Sequence, residues 1–245
     1  MILSLPDAAA VAERAAVDAL ELIQELQVEQ YLVHLNITGG TVGIATVREL
    51  VSHAPEKSVD WSRVHIWWGD ERFVPVDSPD RNAVQAFGVG LLTLGIPEDN
   101  IHEFPAHVPS DESDIRTQLA AAVDTFEAEC LSYTDADTGM IRFDLTLLGV
   151  GPDGHVASLF PGHATPGPGH LISGEADSPK PPSQRLTFTY EALNHSERVW
   201  FTVAGKEKAQ AVTGAINGSK ELPVGRIAGR IDTRWYLDLE IVETL

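Results

Sequence analysis

Apolar positions along the chain alternate between a helical and a strand spacing. Val11, Ala15, Ala19, Leu22, Ile23 and Leu26 recur as one helical face, with Glu13, Arg14, Asp18, Glu21 and Glu25 directed away from it. Ser4 to Asp7, with Pro6, reads as a capping-box-like start for that helix. Tyr31 to Ile37 is a predicted strand, broken by Thr38-Gly39-Gly40-Thr41-Val42-Gly43 and followed by a helix from about Ile44 to His53. Val64 to Trp68 is a second strand ending at Gly69, before a polar loop from Asp70 to Asn82 and a helix from Asn82 to Leu92. A short extended piece at Ile101 to Phe104 precedes an amphipathic helix from Asp111 to Leu131. Phe143 to Val150 is nearly all apolar, as a strand covered on both faces should be. Further strands are expected at Arg185 to Thr189, Arg198 to Val203 and Arg234 to Leu239, with a helix from Lys206 to Ile216.

This alternation implies an α/β fold: a single, doubly wound, mostly parallel sheet flanked by helices, as one domain over 1–245. Residues 161–182 hold six prolines and four glycines, yet the apolar segments on either side do not suffice for two cores. The stretch is therefore expected to be a long surface loop near the site. Ligands of such sheets bind at the carboxyl ends of strands, which directs attention to the loops after Ile37, Trp68, Val150 and Val203.

Charge narrows the partners. The 36 acidic and 17 basic residues give a net charge of −19, and no run of Lys or Arg occurs, so nucleic acid and anionic membranes are not expected partners. An anionic substrate would need local N–H groups and a few placed cations. Cys130 is the one cysteine and falls on an apolar helical stripe, which excludes an internal disulfide and fits a reducing, cytoplasmic compartment. No signal peptide or membrane span is expected.

Four loops carry candidate chemistry. Thr38-Gly39-Gly40-Thr41 joins a strand to a helix, where free N–H groups and a positive dipole end suit a phosphate; a ligand-free turn fits the same residues. Arg72, in Trp68-Gly69-Asp70-Glu71-Arg72, can grip a phosphate bidentately or pair locally with Asp70 or Glu71. His155 follows Gly149-Val150-Gly151-Pro152-Asp153-Gly154 and is expected at a helix start, whose dipole would keep the imidazole neutral, with Asp153 to orient it. Lys206 or Lys208, at a helix N-terminus where cations are disfavoured, points to an anion nearby; a pair with Glu207 is the alternative. No metal site and no cofactor are expected, because H-x-x-x-H and C-x-x-C are absent, as is the G-x-S-x-G of a serine hydrolase.

Taken together and in order, these loops resemble the 6-phosphogluconolactonase family. The resemblance rests on Phe143-Asp144-Leu145 through Gly149-Val150-Gly151-Pro152-Asp153-Gly154-His155-Val156-Ala157-Ser158-Leu159-Phe160-Pro161-Gly162. It rests also on Trp68 to Arg72 with Val74-Pro75, Asp177 to Pro182 with Arg185-Leu186-Thr187, Gly205-Lys206, and Trp235-Tyr236-Leu237-Asp238. It covers nearly the whole chain and implies a Rossmann-like, sugar-phosphate isomerase-type fold. It departs at the first loop, which in the family usually reads Ser-Gly-Gly-Ser-Thr-Pro.

The resemblance implies hydrolysis of 6-phospho-D-glucono-1,5-lactone, a sugar-phosphate partner; the chain is expected to be a monomer. In it His155 is the general base and Asp153 its partner. Arg72, Lys206 and the amides of Gly39, Gly40 and Thr41, with Thr38, hold the phosphate, and Asp70 and Asn82 meet sugar hydroxyls. Two rivals follow: a related glucosamine-6-phosphate deaminase, or a non-catalytic sugar-phosphate sensor. The deaminase carries a carboxylate five residues after the histidine, where this chain has Phe160, and a sensor would bring a DNA-binding module with basic residues.

Overall fold

The computed structural model describes residues 1–245. Ten strands form in chain order: β1 (Ile2–Leu5), β2 (Val33–Ile37), β3 (Val64–Trp68), β4 (Asp70–Arg72), β5 (Ile101–His102), β6 (Leu145–Leu148), β7 (Ile172–Glu175), β8 (Arg185–Phe188), β9 (Arg198–Val203) and β10 (Asp232–Asp238). The helices are α1 (Ala8–Glu29), α2 (Gly40–His53), α3 (Asn82–Gly88), α4 (Ile115–Cys130), α5 (Tyr190–Asn194), α6 (Ala209–Ile216) and α7 (Leu239–Val242), joined by several 3₁₀ turns.

Seven strands make one wholly parallel sheet in the order β1-β10-β9-β6-β2-β3-β5. Every residue of β3 and of β6 is buried, which accounts for their largely apolar runs, interrupted only by His65 and Thr146. From β2 the chain winds one way through β3 to β5, and from β6 it winds the other way through β9 to β10. The reversal between β2 and β6 opens a crevice at their carboxyl ends, where the loops 38–43 and 149–155 emerge side by side.

Three features differ from the sequence-based expectation. The expected single sheet is joined by a second, antiparallel one, β4-β8-β7, which takes Asp70–Arg72 and Ile172–Glu175 out of predicted loops. Ile2–Leu5 is an edge strand rather than a helix lead-in, and α1 is capped by Asp7, which accepts from the Ala10 N–H at 2.9 Å. No helix follows Gly154; Val156 and Leu159 close a turn by an isolated bridge instead. A turn rich in glycine after a strand permits either outcome, and burial of Val156, Ser158, Leu159 and Phe160 on successive sides favours the irregular path.

The second sheet begins where β3 ends. The Gly69 amide donates to the Ile37 carbonyl at 2.8 Å, and its own carbonyl accepts from Phe188 at 3.0 Å, so one residue hands the chain from one sheet to the other. Glu71, 1% exposed, turns inward and accepts from the amides of Asn82 (2.7 Å) and Ala83 (3.0 Å), seating the start of α3 against β4. No helix is long and apolar enough to cross a membrane.

At the opposite end of the sheet, His34, His65 and His102 from β2, β3 and β5 stack in series, with ring centroids 4.8 Å and 5.2 Å apart. The Trp67 indole donates to His34 Nδ1 at 3.1 Å, so that nitrogen carries no proton. Burial, reinforced by the neighbouring histidines, pushes His34 down to about 3 and His65 to about 4. The unfolded chain therefore binds protons near pH 6.5 that the folded chain refuses, and stability is lost as pH falls from about 6.5 toward 4. Urea unfolding should show a lower midpoint at pH 5 than at pH 7, and His34→Gln should narrow that difference; an unchanged difference refutes the assignment.

Candidate active site

The crevice at the switch point is an open cleft lined by the 38–43 loop, Asp70, Arg72, Asn82, Gly149 to Gly151, His155, Ala157, Arg185 and Lys208. Its first wall is the start of α2. Gly39 precedes the helix and Gly40 begins it at φ +77°, a conformation that glycine adopts without a Cβ penalty. The first-turn amides of this 14-residue helix have no intrahelical acceptors and open toward the cleft. A Cβ on Gly39 would fall 1.9 Å from Asn82 Oδ1, so the glycine also makes room for the buried amide. Asn82 Nδ2 donates to the Asp70 carbonyl at 2.8 Å, while its Oδ1 is buried without a partner.

The second wall is the small sheet. Arg72 and Arg185 sit directly opposite each other across the β4–β8 ladder, as do Asp70 and Thr187. Strand alternation therefore presents Asp70, Arg72 and Arg185 on one face. Arg72 donates from Nη1 to the Asp80 carbonyl at 2.7 Å, and its buried Nε has no acceptor. Arg185 Nη1 lies 3.9 Å from Asp70 Oδ2, and the same carboxylate oxygen accepts from the Ser158 hydroxyl at 2.5 Å. The third wall is the turn after β9. Lys208 Nζ donates to the Ala204 carbonyl at 2.8 Å and reaches the cleft. Lys206 is exposed and lies outside it, so of the two lysines at this helix start Lys208 is the one beside the phosphate loop, a correction to the expectation for Lys206. The intervening 3₁₀ turn, Lys206–Lys208, rotates the two side chains apart.

His155 closes the cleft from the β6 side. Its Nδ1 makes a short hydrogen bond to Asp153 Oδ1, so Nδ1 bears the proton and Nε2 keeps its lone pair. Phe160 lies against the ring, with centroids 4.8 Å apart. Burial lowers the His155 pKa; the bond to Asp153 opposes that shift, and the nearby Lys180 ammonium adds to it. The imidazole is thus neutral near pH 7 because it is desolvated, and not because of a helix dipole, since no helix begins there. Burial pushes Asp153 up, but its bond to His155 and the charges of His155 and Lys180 prevail, and the carboxyl sits below its ordinary range. Ala157, at φ +49°, places a strained non-glycine residue between His155 and Ser158 on the cleft wall.

All residues expected at the site are brought together except Lys206 and Asp153, and Asp153 stands behind His155 as its partner. Arg185, Lys180 and Ser158 are additions, and Lys208 is the other of the two lysines that the helix start offered. Arg185 had a legible signal: Arg185 and Thr187 alternate with the buried Leu186 and Phe188, which marks a polar strand face.

Residues 6–235 match the family described as glucosamine-6-phosphate isomerases/6-phosphogluconolactonase. The chain belongs to this family. A 6-phosphogluconolactonase of Mycobacterium leprae is 38% identical over 207 residues, covering 83% of this chain and 81% of that protein. The crystal structure of 6-phosphogluconolactonase from Thermotoga maritima superposes with a TM-score of 0.81 at 29% identity, over 97% of this chain and 99% of the other. A monomeric glucosamine-6-phosphate deaminase gives a TM-score of 0.78 over 100% of this chain and 99% of its own, and at 18% identity it shares the fold alone.

Within the family pattern, glycine at position 43 is matched to the main chain of this loop. A Cβ at Gly43 would come 2.6 Å from the Thr38 carbonyl oxygen and 2.7 Å from its methyl group. With threonine at 38 and this backbone, the proline usual at 43 would not fit. The cradle of amides survives both changes.

Gly151 provides a direct check on the placement of the His155 ring. A Cβ there would lie 2.0 Å from His155 Cε1 and 2.1 Å from Nδ1. Gly151→Ala should displace the ring from Asp153 and raise its exposure, which ¹⁵N NMR of the histidine side chain reads as a changed tautomer ratio. An unchanged His155 spectrum would show that the ring does not need this space.

Proposed function

We propose that this chain hydrolyses 6-phospho-D-glucono-1,5-lactone to 6-phosphogluconate, the second step of the oxidative pentose phosphate pathway. The observation that carries the reading is a neutral imidazole, protonated at Nδ1, in one cleft with Arg72, Arg185, Lys208 and the open start of α2. The phosphate is held by the amides after Gly39, with Thr38 and Thr41, and by these cations. Asn82 Oδ1 and the Asp70 carboxylate accept from sugar hydroxyls, consistent with the unpartnered state of the former.

His155 Nε2 takes a proton from water as its oxygen attacks the lactone carbonyl carbon. The tetrahedral intermediate collapses, the bond from that carbon to the ring oxygen breaks, and the imidazolium returns the proton to the departing oxygen. Asp153 stabilises the imidazolium while it lasts. The phosphate is remote from the reacting carbon, so its binding energy goes into orienting the ester against water.

Phe160 favours this reading over the deaminase. It occupies the place five residues after His155 where deamination requires a carboxylate, and it packs on the imidazole instead. The continuous core of 57 buried residues supports a single domain over 1–245. A monomer located in the cytoplasm is part of the same proposal, and the free, buried Cys130 fits the reducing compartment.

Lactone opening, corrected for the spontaneous rate, should fall by about 10²- to 10⁴-fold in His155→Ala. Lys208→Ala should raise KM more than it lowers kcat, whereas Lys206→Ala should leave both near wild type. Ammonia release from glucosamine-6-phosphate, or a His155→Ala rate equal to wild type, would overturn the proposal.

A further inference from the structure

The cluster least explained by the reaction lies behind the base. Lys180 Nζ is 3.3 Å from His155 Nδ1 and 3.6 Å from Asp153 Oδ1, yet neither Lys180 nor Asp153 lines the cleft. Since Nδ1 donates its proton to Asp153, the ammonium cannot donate to the same nitrogen, and its electrostatic partner is the carboxylate.

The backbone carrying Lys180 is fastened from two sides. Ser178 Oγ accepts from the Lys180 amide at 3.2 Å and donates to the Lys180 carbonyl at 2.9 Å. Arg185 donates from Nη2 to the Lys180 and Pro181 carbonyls, each at 3.3 Å, and from Nε to the Pro182 carbonyl at 3.1 Å. The backbone at Lys180 is thus held by a guanidinium whose third nitrogen faces the cleft wall, and the partly exposed side chain reaches from that anchored point to the Asp153 carboxylate.

We propose that Lys180 is a positioning residue for the His155 base: its ammonium fixes the Asp153 carboxylate and repels positive charge on the ring. The proposal rests on the reading of His155 as the base. The other charges around the ring are Asp70 across the cleft and Arg72, Arg185 and Lys208 on its walls, none of them hydrogen-bonded to it. Beyond Phe160, His163 pairs with Glu175 and does not reach it. Lys180 is the cation in direct contact with the dyad, so its removal leaves Asp153 unopposed and makes the imidazole easier to protonate.

The test is the pH dependence of kcat/KM for wild type, Lys180→Met and Lys180→Arg, with the uncatalysed rate subtracted. In Lys180→Met the acid limb should move to higher pH. Activity at pH 6 should fall about 3- to 10-fold, while activity at pH 8 and KM should change less than about 2-fold. Lys180→Arg should restore the profile. NMR titration of the His155 ring reads the same displacement without turnover, and serves if Lys180→Met turns over poorly.

Superimposable profiles would refute the role. So would a uniform loss at every pH with a lower Tm, which marks a purely structural lysine, or a rise in KM alone, which marks substrate contact. Failure of the underlying reading is separate: wild type and His155→Ala would then open the lactone at equal rates at every pH.

Discussion

An imidazole must give up water without gaining a charge, and the site is arranged around that constraint. His155 is desolvated by Phe160 and the β6 turn, while Asp153 on one nitrogen fixes which tautomer survives. Desolvation alone would make a poor proton acceptor, and a carboxylate alone would hold the ring as imidazolium. Their opposition, with Lys180 weighing against the carboxylate, leaves an imidazole that is uncharged at neutral pH, as the proposed base must be.

The proposed anion site solves a different problem. The chain carries a net charge of −19, so its overall field repels a phosphate ester. The fold answers locally: two arginines paired across the small sheet, one lysine tied to the end of β9, and a helix start held open by Gly39 and Gly40 converge from three walls. None of these elements is adjacent in sequence. They meet because the winding of the sheet reverses between β2 and β6, and because Gly69 diverts the chain out of the large sheet into the small one.

Much of this was legible beforehand, and the gaps have physical causes. β3 and β6 announce themselves because both faces are buried. β4 does not, because three charged residues look like a loop until a partner strand more than a hundred residues away supplies the ladder. β7 was hidden among prolines and glycines for the same reason. The glycine-rich approach singles out His155 as a candidate, but the reason for its neutrality lies in three-dimensional burial and in Lys180, neither of which its neighbours in sequence disclose. Lys206 and Lys208 differ only by the pitch of one 3₁₀ turn, a distinction below the resolution of residue patterns.

The fit between Thr38 and Gly43 bears on how such a loop can vary. The carbonyl oxygen of Thr38, as well as its methyl group, fills the volume that a side chain on Gly43 would need, so the obstacle lies in the main chain and stays whatever side chain stands at 38. A residue larger than glycine at this corner therefore demands a displaced turn, and trimming the threonine alone would not make room for it.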